Sequence, residues 1–370
     1  MSSPRICLNM IVKDEAKVIG RCLASVRPFI DAWVIVDTGS SDGTQDIVRE
    51  LLADLPGELH ERPWRDFGHN RSEAITLARG RGDYLFFIDA DEVLELPQTF
   101  QRPVLGSDAY ALQVSYGATR YQRVCLVANH IPWRWEGVLH EYLVCDRAFE
   151  RQALKGPRVH VYSDGARSQQ DVAVKYAADA RVLEAALAVD PGNRRYVFYL
   201  AQSYRDAGER EAALVQYERR AAMGGWDEEI WYSLYQTALL AESLGRSPGE
   251  VIQHYLVAFE YRPHRGGEVL GQLARWCRES RRFASARLFA AQAMEFPLPV
   301  ADALFVDESW YHWRCRDEFA IASYWVGDAA TCRRMCLELL DDPALPAEQQ
   351  TRVCENLAFA EQRLAERVLR

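Results

Sequence analysis

The sequence predicts an α/β domain built on a parallel sheet, followed by an all-α domain of helical repeats. Three observations predict it. Apolar runs of strand length alternate with amphipathic helical spacing in the first part of the chain. Three polar motifs there follow such runs, at positions where strands end. From about Ser168 the strand signals vanish, and Ala, Leu, Tyr, Arg and Glu dominate. The junction is expected where Ser, Asp, Gly and Gln cluster between Gly165 and Gln170, giving domains 1–167 and 168–370.

The elements of the first domain follow from spacing. Ile6 to Val12 is an apolar strand, and Glu15 to Val26 a helix with Ala16, Ile19, Leu23 and Val26 on one face. Trp33 to Val36 is a second buried strand, and Thr44 to Leu55 a second amphipathic helix. Asn70 to Ala78 is a third helix, and Tyr84 to Ile88 a further strand. Short apolar strands separated by such helices imply a parallel sheet covered on both faces. Ligands of these sheets sit at the carboxyl ends of the strands.

In the second domain, helical patterns end at Gly208 and Gly245, 37 residues apart. Pro191 and Pro263 lie 72 residues apart, twice 36. That period suits tetratricopeptide-like hairpins, whose nominal length is about 34. The match weakens after Phe296, and the aromatic stretch Leu304 to Trp313 is expected to interrupt the stacking. Trp226, Trp231, Tyr232, Tyr235, Trp310, Tyr311 and Trp313 read either as core between helices or as stacking groups for sugar or peptide.

Bulk properties narrow the class. A chain of 370 residues calls for two domains. A net charge of -9 argues against nucleic-acid binding, which needs a basic face. Nine cysteines with no C-x-x-C pair read as reduced thiols of a cytoplasmic protein. Cys332 and Cys336, one helical turn apart, read as buried small residues rather than a metal site. No signal peptide is expected at the N-terminus, and no stretch approaches the roughly 20 apolar residues of a membrane span.

The chemistry lies in the motifs. The strand Tyr84 to Ile88 runs into Asp89-Ala90-Asp91-Glu92. Residues two apart face the same side of an extended chain, so Asp89 and Asp91 can address one spot. Hard oxygen donors there suit Mg2+ or Mn2+ on a substrate phosphate. Asp37-Thr38-Gly39-Ser40-Ser41-Asp42-Gly43 ends another strand. Its Asp42 reads as a helix N-cap, and Asp37 as an acceptor for a uracil imide or a ribose hydroxyl. Lys13-Asp14-Glu15 follows the first strand. Arg71 lies in the first turn of a helix, where a guanidinium can reach a diphosphate. His140, Glu141 and His160 are candidate ligands or bases, and Glu136 a candidate base.

These residues resemble a known family. Ile11-Val12-Lys13-Asp14-Glu15, Val36 to Thr44, Asn70-Arg71-Ser72-Glu73-Ala74 and Phe87 to Glu92 occur in the order of family 2 glycosyltransferases of the GT-A fold. The chain is similar in particular to the bacterial branch with C-terminal tetratricopeptide-like helices. The resemblance implies a GT-A (Rossmann-like) nucleotide-sugar-binding domain, a donor that is most often a UDP-sugar, and Mn2+ or Mg2+. It places Glu15 and Asp37 beside the uridine and Arg71 near the ribose and diphosphate. It assigns Asp91 to the metal and Asp89 to the ribose or a metal-bound water; Asp89 and, on its residue type alone, His160 are further metal candidates. Glu141 in Gly137-Val138-Leu139-His140-Glu141 stands as base, with His140 ancillary. The implied reaction is inverting and metal-dependent. The acceptor is a glycan such as a lipopolysaccharide core, a lipid-linked molecule, or a peptide or protein. A lipid-linked acceptor would bring the protein to the inner face of a membrane, and a homodimer through the helices is a further expectation.

Other classes fit less well. A non-catalytic helical-repeat scaffold with a degenerate sheet domain has no reason to keep Glu15, Asp37, Asp89 and Asp91 together. A nucleotidyltransferase needs a basic Gly-rich loop after the first strand, where this chain has Lys13-Asp14-Glu15. A metal hydrolase calls for a His-rich cluster near Asp89, which the sequence lacks.

Overall fold

The computed structural model describes residues 4–102, 104–162, 164–166 and 171–368, with side chains to 366. The chain parts into two compact units, Met1–Glu209 and Arg210–Arg370. The expected junction at 167/168 lies outside the described residues.

The first unit is organised by a sheet. Its strands are β1 (Ile6–Val12), β2 (Ala32–Asp37), β3 (Gly57–Glu61), β4 (Tyr84–Phe87), β5 (Glu92–Glu95), β6 (Ala109–Tyr116), β7 (Thr119–Ala128) and β10 (Arg151–Val161). The order is β3-β2-β1-β4-β7-β6-β10-β5. β1 is parallel to both β2 and β4, and β2 to β3. The expectation of a parallel sheet holds for that part. Beyond β4 the sheet is mixed, because β7 runs antiparallel to β4 and to β6. A tight hairpin joins β6 to β7, whereas parallel neighbours need a long crossover.

Helices α1 (Ile19–Val26), α2 (Thr44–Leu51) and α3 (Phe67–Leu77) link the parallel strands. Their apolar residues, among them Ile19, Leu23, Val26, Val48 and Ile75, are buried with the strands in one core. The parallel strands therefore end on one edge, with Val12 opposite Asp37 and Asp37 opposite Glu61 in register. A small hairpin, β8 (Arg134–Glu136) with β9 (Tyr142–Val144), lies outside the main sheet. Helices α4 (Val172–Val189) and α5 (Arg194–Asp206) complete this unit.

The second unit is helical. α6 (Arg210–Ala222), α7 (Asp227–Ser243) and α8 (Pro248–Tyr261) are followed by α9 (Gly266–Glu279) and α10 (Phe283–Ala293), then α11 (Cys315–Trp325), α12 (Ala329–Leu340) and α13 (Ala347–Val368). Each packs on the next in sequence. The stop glycines act as expected: Gly208 and Gly245 have φ of 87° and 67°, a region costly for residues with a Cβ. The aromatic stretch does interrupt the regular stacking, with a π-helical turn at Trp310–Arg314. Trp231, Tyr235 and Trp310 are core residues, whereas Trp226 is 47% exposed. One face of α9 admits only glycine: a Cβ on Gly271 would lie 2.6 Å from the Trp310 ring. Cys332 and Cys336 are both buried, as their spacing suggested. Among the described residues no helix is long and apolar enough to cross a membrane.

Candidate active site

Two loops at the ends of β1 and β2 are stitched together. Ser40 Oγ accepts the Asp14 N–H at 2.8 Å, and Thr44 Oγ1 accepts the Glu15 N–H at 2.8 Å. Asp42 does not take the N-cap position of α2, which falls to Gly43. Its carboxylate instead accepts the N–H groups of Ala16 and Thr44.

Asp37 closes β2 with no solvent exposure. Its Oδ1 accepts the N–H groups of Gly39 at 2.9 Å and Ser40 at 2.8 Å, and the Gln45 amide at 3.1 Å. Its Oδ2 is buried with no hydrogen-bond partner among the described residues. A pocket of about 340 Å³ opens there, lined by Asp37, Thr38, Gly39, Ser40, Gln45, Glu61, Arg62 and Pro63. The last three follow from β3, an edge strand that no apolar run announces.

Asp89 follows β4, and the register of that strand explains its neighbours. Phe86 pairs with Leu126 in the antiparallel register, and three residues on, Asp89 lies beside Arg123 of β7. Arg123 Nη1 lies 3.8 Å from Asp89 Oδ2. It also makes a bidentate pair with Glu92, whose side chain is only 3% exposed. Glu92 in turn accepts the Asp89 N–H at 3.0 Å.

From the other side Arg71 of α3 donates to Asp89 Oδ1 at 2.6 Å. Desolvation pushes the Asp89 carboxyl up, but Arg71 and Arg123 outweigh it and hold it below the usual carboxylate range. Arg71 is not a solvated surface residue, being only 13% exposed. Its Nε lies 2.6 Å from Glu141 Oε1, so one guanidinium bridges Asp89 and Glu141.

Asp91 has the opposite environment. No cationic side chain pairs with it among the described residues. Burial, followed by the charges of Asp89 and Glu92, pushes its carboxyl up to about 6. Glu15 stands nearby: a Cβ on Gly165 would meet Glu15 Oε2 at 3.0 Å and Asp91 Cβ at 3.2 Å. Burial pushes Glu15 up to about 7, against the Ala166 N–H bond and with the charges of Asp91, Asp42 and Asp89. Two carboxylates crowded together, with no counter-ion among the described residues, suit a divalent cation. Among the described residues no three His, Cys, Asp or Glu groups form a complete metal site. A cation there would complete its shell with phosphate and water, as Mg2+ commonly does.

Residues 7–169 match the family model for glycosyl transferase family 2. That stretch is a family 2 glycosyltransferase domain. Over 149 residues the chain is 36% identical to a TPR repeat-containing protein of Synechococcus elongatus, an alignment covering 37% of this chain and 35% of the relative. Over 92 residues it is 33% identical to the SPbeta prophage-derived glycosyltransferase SunS of Bacillus subtilis, covering 25% of this chain and 21% of the relative. Over 91 residues it is 35% identical to the lipopolysaccharide core biosynthesis glycosyltransferase LpsC of Rhizobium meliloti, covering 24% and 31%. The chain thus spans about a third or less of the length of these relatives. Among solved structures, S. aureus TarS 1–349 in complex with UDP-GlcNAc is similar at a TM-score of 0.33 and 12% identity, over 69% of this chain and 90% of that one. BtubC from P. vanneervenii is similar at a TM-score of 0.40 and 12% identity, over 55% and 85%.

Within the glycosyltransferase domain, Glu15, Arg71, Asp89, Asp91 and Glu141 form one linked cluster, and Asp37 sits at the end of the adjacent strand. His160 does not join them. Its Nε2 lies 2.6 Å from Glu95 Oε2. Residues alternate along β10, and Val161 pairs with Glu92 while His160 pairs with Val93. His160 therefore faces away from the side on which Glu92 supports Asp89. Asp89 is engaged by arginines rather than open to a cation. Glu136 pairs with Arg134 on the surface, whereas Glu141 is 11% exposed and faces Arg71.

Proposed function

We propose that the chain is a glycosyltransferase that takes a sugar from a nucleotide-sugar donor, a UDP-sugar in the first instance. The buried Asp37 Oδ2, without a hydrogen-bond partner among the described residues, in a residue that lines a pocket, carries this reading. A carboxylate oxygen without a donor costs free energy unless a ligand supplies an N–H, and the uracil imide does so. Arg71, between Asp89 and Glu141, would meet the diphosphate. Asp91, with Glu15 beside it, would hold a divalent cation. Such a cation would neutralise charge on the departing nucleoside diphosphate, a contribution worth several kcal/mol.

The chain's own groups do the rest. Glu141 takes the proton of the acceptor hydroxyl as its oxygen attacks the anomeric carbon. The bond from that carbon to the diphosphate oxygen breaks, and the electron pair leaves with the nucleoside diphosphate. General-base help of this kind contributes about 100- to 10,000-fold. A single displacement inverts the anomeric centre, so an α-linked donor gives a β-linked product. The acceptor class we favour is a glycan, a lipopolysaccharide core or a peptide. The test is a hydrolysis screen of UDP-, GDP- and TDP-sugars with and without Mn2+, with Asp91→Ala as control. Cleavage of a UDP-sugar that needs both Mn2+ and Asp91 is expected. Metal-independent turnover at full rate, or none with any donor, would overturn the reading.

A further inference from the structure

Glu141 sits on a loop that a neighbouring helix grips. The loop, residues 137–141, closes the β8–β9 hairpin with two left-handed residues, Gly137 at φ 123° and His140 at φ 52°. At Gly137 the conformation is natural, and a Cβ there would lie 3.2 Å from the Glu141 Cα. At His140 it is strained, and such a residue persists only where its surroundings over-determine it.

The surroundings that do so come from α5. The turn Asp190-Pro191-Gly192-Asn193 starts this helix, with the Asn193 side chain accepting the Tyr196 N–H at 3.1 Å. Arg195 and Tyr199 are then one helical turn apart and share a face. The Arg195 guanidinium donates twice to the His140 carbonyl, from Nε at 3.0 Å and Nη2 at 2.7 Å. It is itself held 4.9 Å from the Tyr142 ring and 4.8 Å from the Tyr199 ring. The Tyr199 ring stacks on the His140 imidazole at 3.8 Å with planes 7° apart. The Tyr196 hydroxyl accepts the Val138 N–H at 3.3 Å. Three consecutive features of the loop are thus gripped by one helix: its entry amide, its strained carbonyl and its exposed ring. On the far side Glu141 meets Arg71.

We propose that α5 completes the acceptor side of the active site, with Arg195, Tyr196 and Tyr199 as positioning residues that aim Glu141. The proposal rests on the glycosyltransferase reading for the role of Glu141. None of the three lines the pocket at Asp37, so their loss should leave the nucleotide end intact. The helical hairpin after the sheet is then part of the catalytic apparatus rather than an appended module.

The test uses the full chain with Arg195→Ala, Arg195→Lys and Tyr196→Phe, and Arg194→Ala as a surface control. Hydrogen exchange over 134–144 reads the loop, UDP titration with Mn2+ reads the donor end, and hydrolysis of UDP-glucose and UDP-N-acetylglucosamine reads the chemistry. Arg195→Ala is expected to speed exchange of the 138–141 amides about tenfold. Tyr196→Phe is expected to do so mainly at Val138. In Arg195→Ala, kcat for hydrolysis falls about ten- to a hundredfold while donor KM and UDP affinity stay within twofold. Arg195→Lys, which keeps one donor, recovers part of kcat. Unchanged exchange in Arg195→Ala overturns the proposal. So does a fall in UDP affinity matching the fall in kcat, which marks general structural support. Absence of wild-type hydrolysis instead counts against the glycosyltransferase reading, while the exchange result still decides whether α5 fixes the loop.

Discussion

Asp37→Asn separates the binding role of this residue from its structural one at constant shape. Three N–H donors converge on Asp37 Oδ1, from Gly39, Ser40 and Gln45. They pin the amide of the variant so that its oxygen replaces Oδ1 and its NH2 replaces the partnerless Oδ2. The fold then loses a buried charge, which offsets the unpaired amide N–H groups it gains, so its unfolding midpoint should change little. The ligand loses an acceptor and meets a donor. A hydrogen bond to a charged group is worth about 1.5–3 kcal/mol, so UDP affinity should drop roughly tenfold to more than a hundredfold. Cytosine offers an acceptor where uracil has its imide N–H, so the variant should bind CDP better relative to UDP than the wild type does. Calorimetry with both nucleotides and Mn2+ reads this directly. Equal UDP affinity in wild type and variant would refute the assignment of Asp37 to the base.

Arg71→Leu leaves the largely buried Glu141 unpaired and strips Asp89 of its nearer cation, so chemical denaturation should show a loss of about 3 kcal/mol. Stability retained in full would mean the bridge is not formed. Gly271→Ala forces a methyl against the Trp310 ring and should cost about 1–3 kcal/mol in the helical unit, read by urea unfolding. Acidity acts on the carboxylate cluster with a definite sign. Asp91 and Glu15 titrate near 6 and 7 in the folded protein, above their ordinary values of 3.8 and 4.5. Their contribution is therefore full below about pH 4 and is lost as pH rises through 6 to 7. Metal-free protein should weaken by roughly 1–2 kcal/mol between pH 4 and 8, after discounting for partial exposure, and added Mn2+ should reverse this. Stability that rises with pH over that range would contradict the crowding of these two groups.

What the sequence made legible was local. Asp37 and Asp89 stand out because each ends a buried apolar run, and parallel β1, β2 and β4 then force those ends to one edge. The helices ending at Gly208 and Gly245 were readable from their stops. What stayed hidden depends on pairing across long separations. β3 reads Gly57-Glu58-Leu59-His60-Glu61, a half-buried edge strand with no apolar run, so Glu61 and Arg62 gave no sign of lining a pocket. Arg123 reaches Asp89 only through the β4–β7 register, and nothing around it in sequence marks it. Arg195 meets His140 across 55 residues. His160 shows the converse: a lone histidine reads as a ligand in sequence, and strand alternation turns it away from Glu92 and onto Glu95.

The most direct measurement is calorimetric titration of UDP, with and without Mn2+, into the wild type and Asp91→Ala. We expect UDP to bind the wild type, and Mn2+ to tighten that binding by at least about tenfold through the cation's grip on the diphosphate. In Asp91→Ala the Mn2+ effect should disappear while weak UDP binding at Asp37 remains. Failure of UDP to bind in the presence of Mn2+, or the same Mn2+ effect in both proteins, would contradict the account.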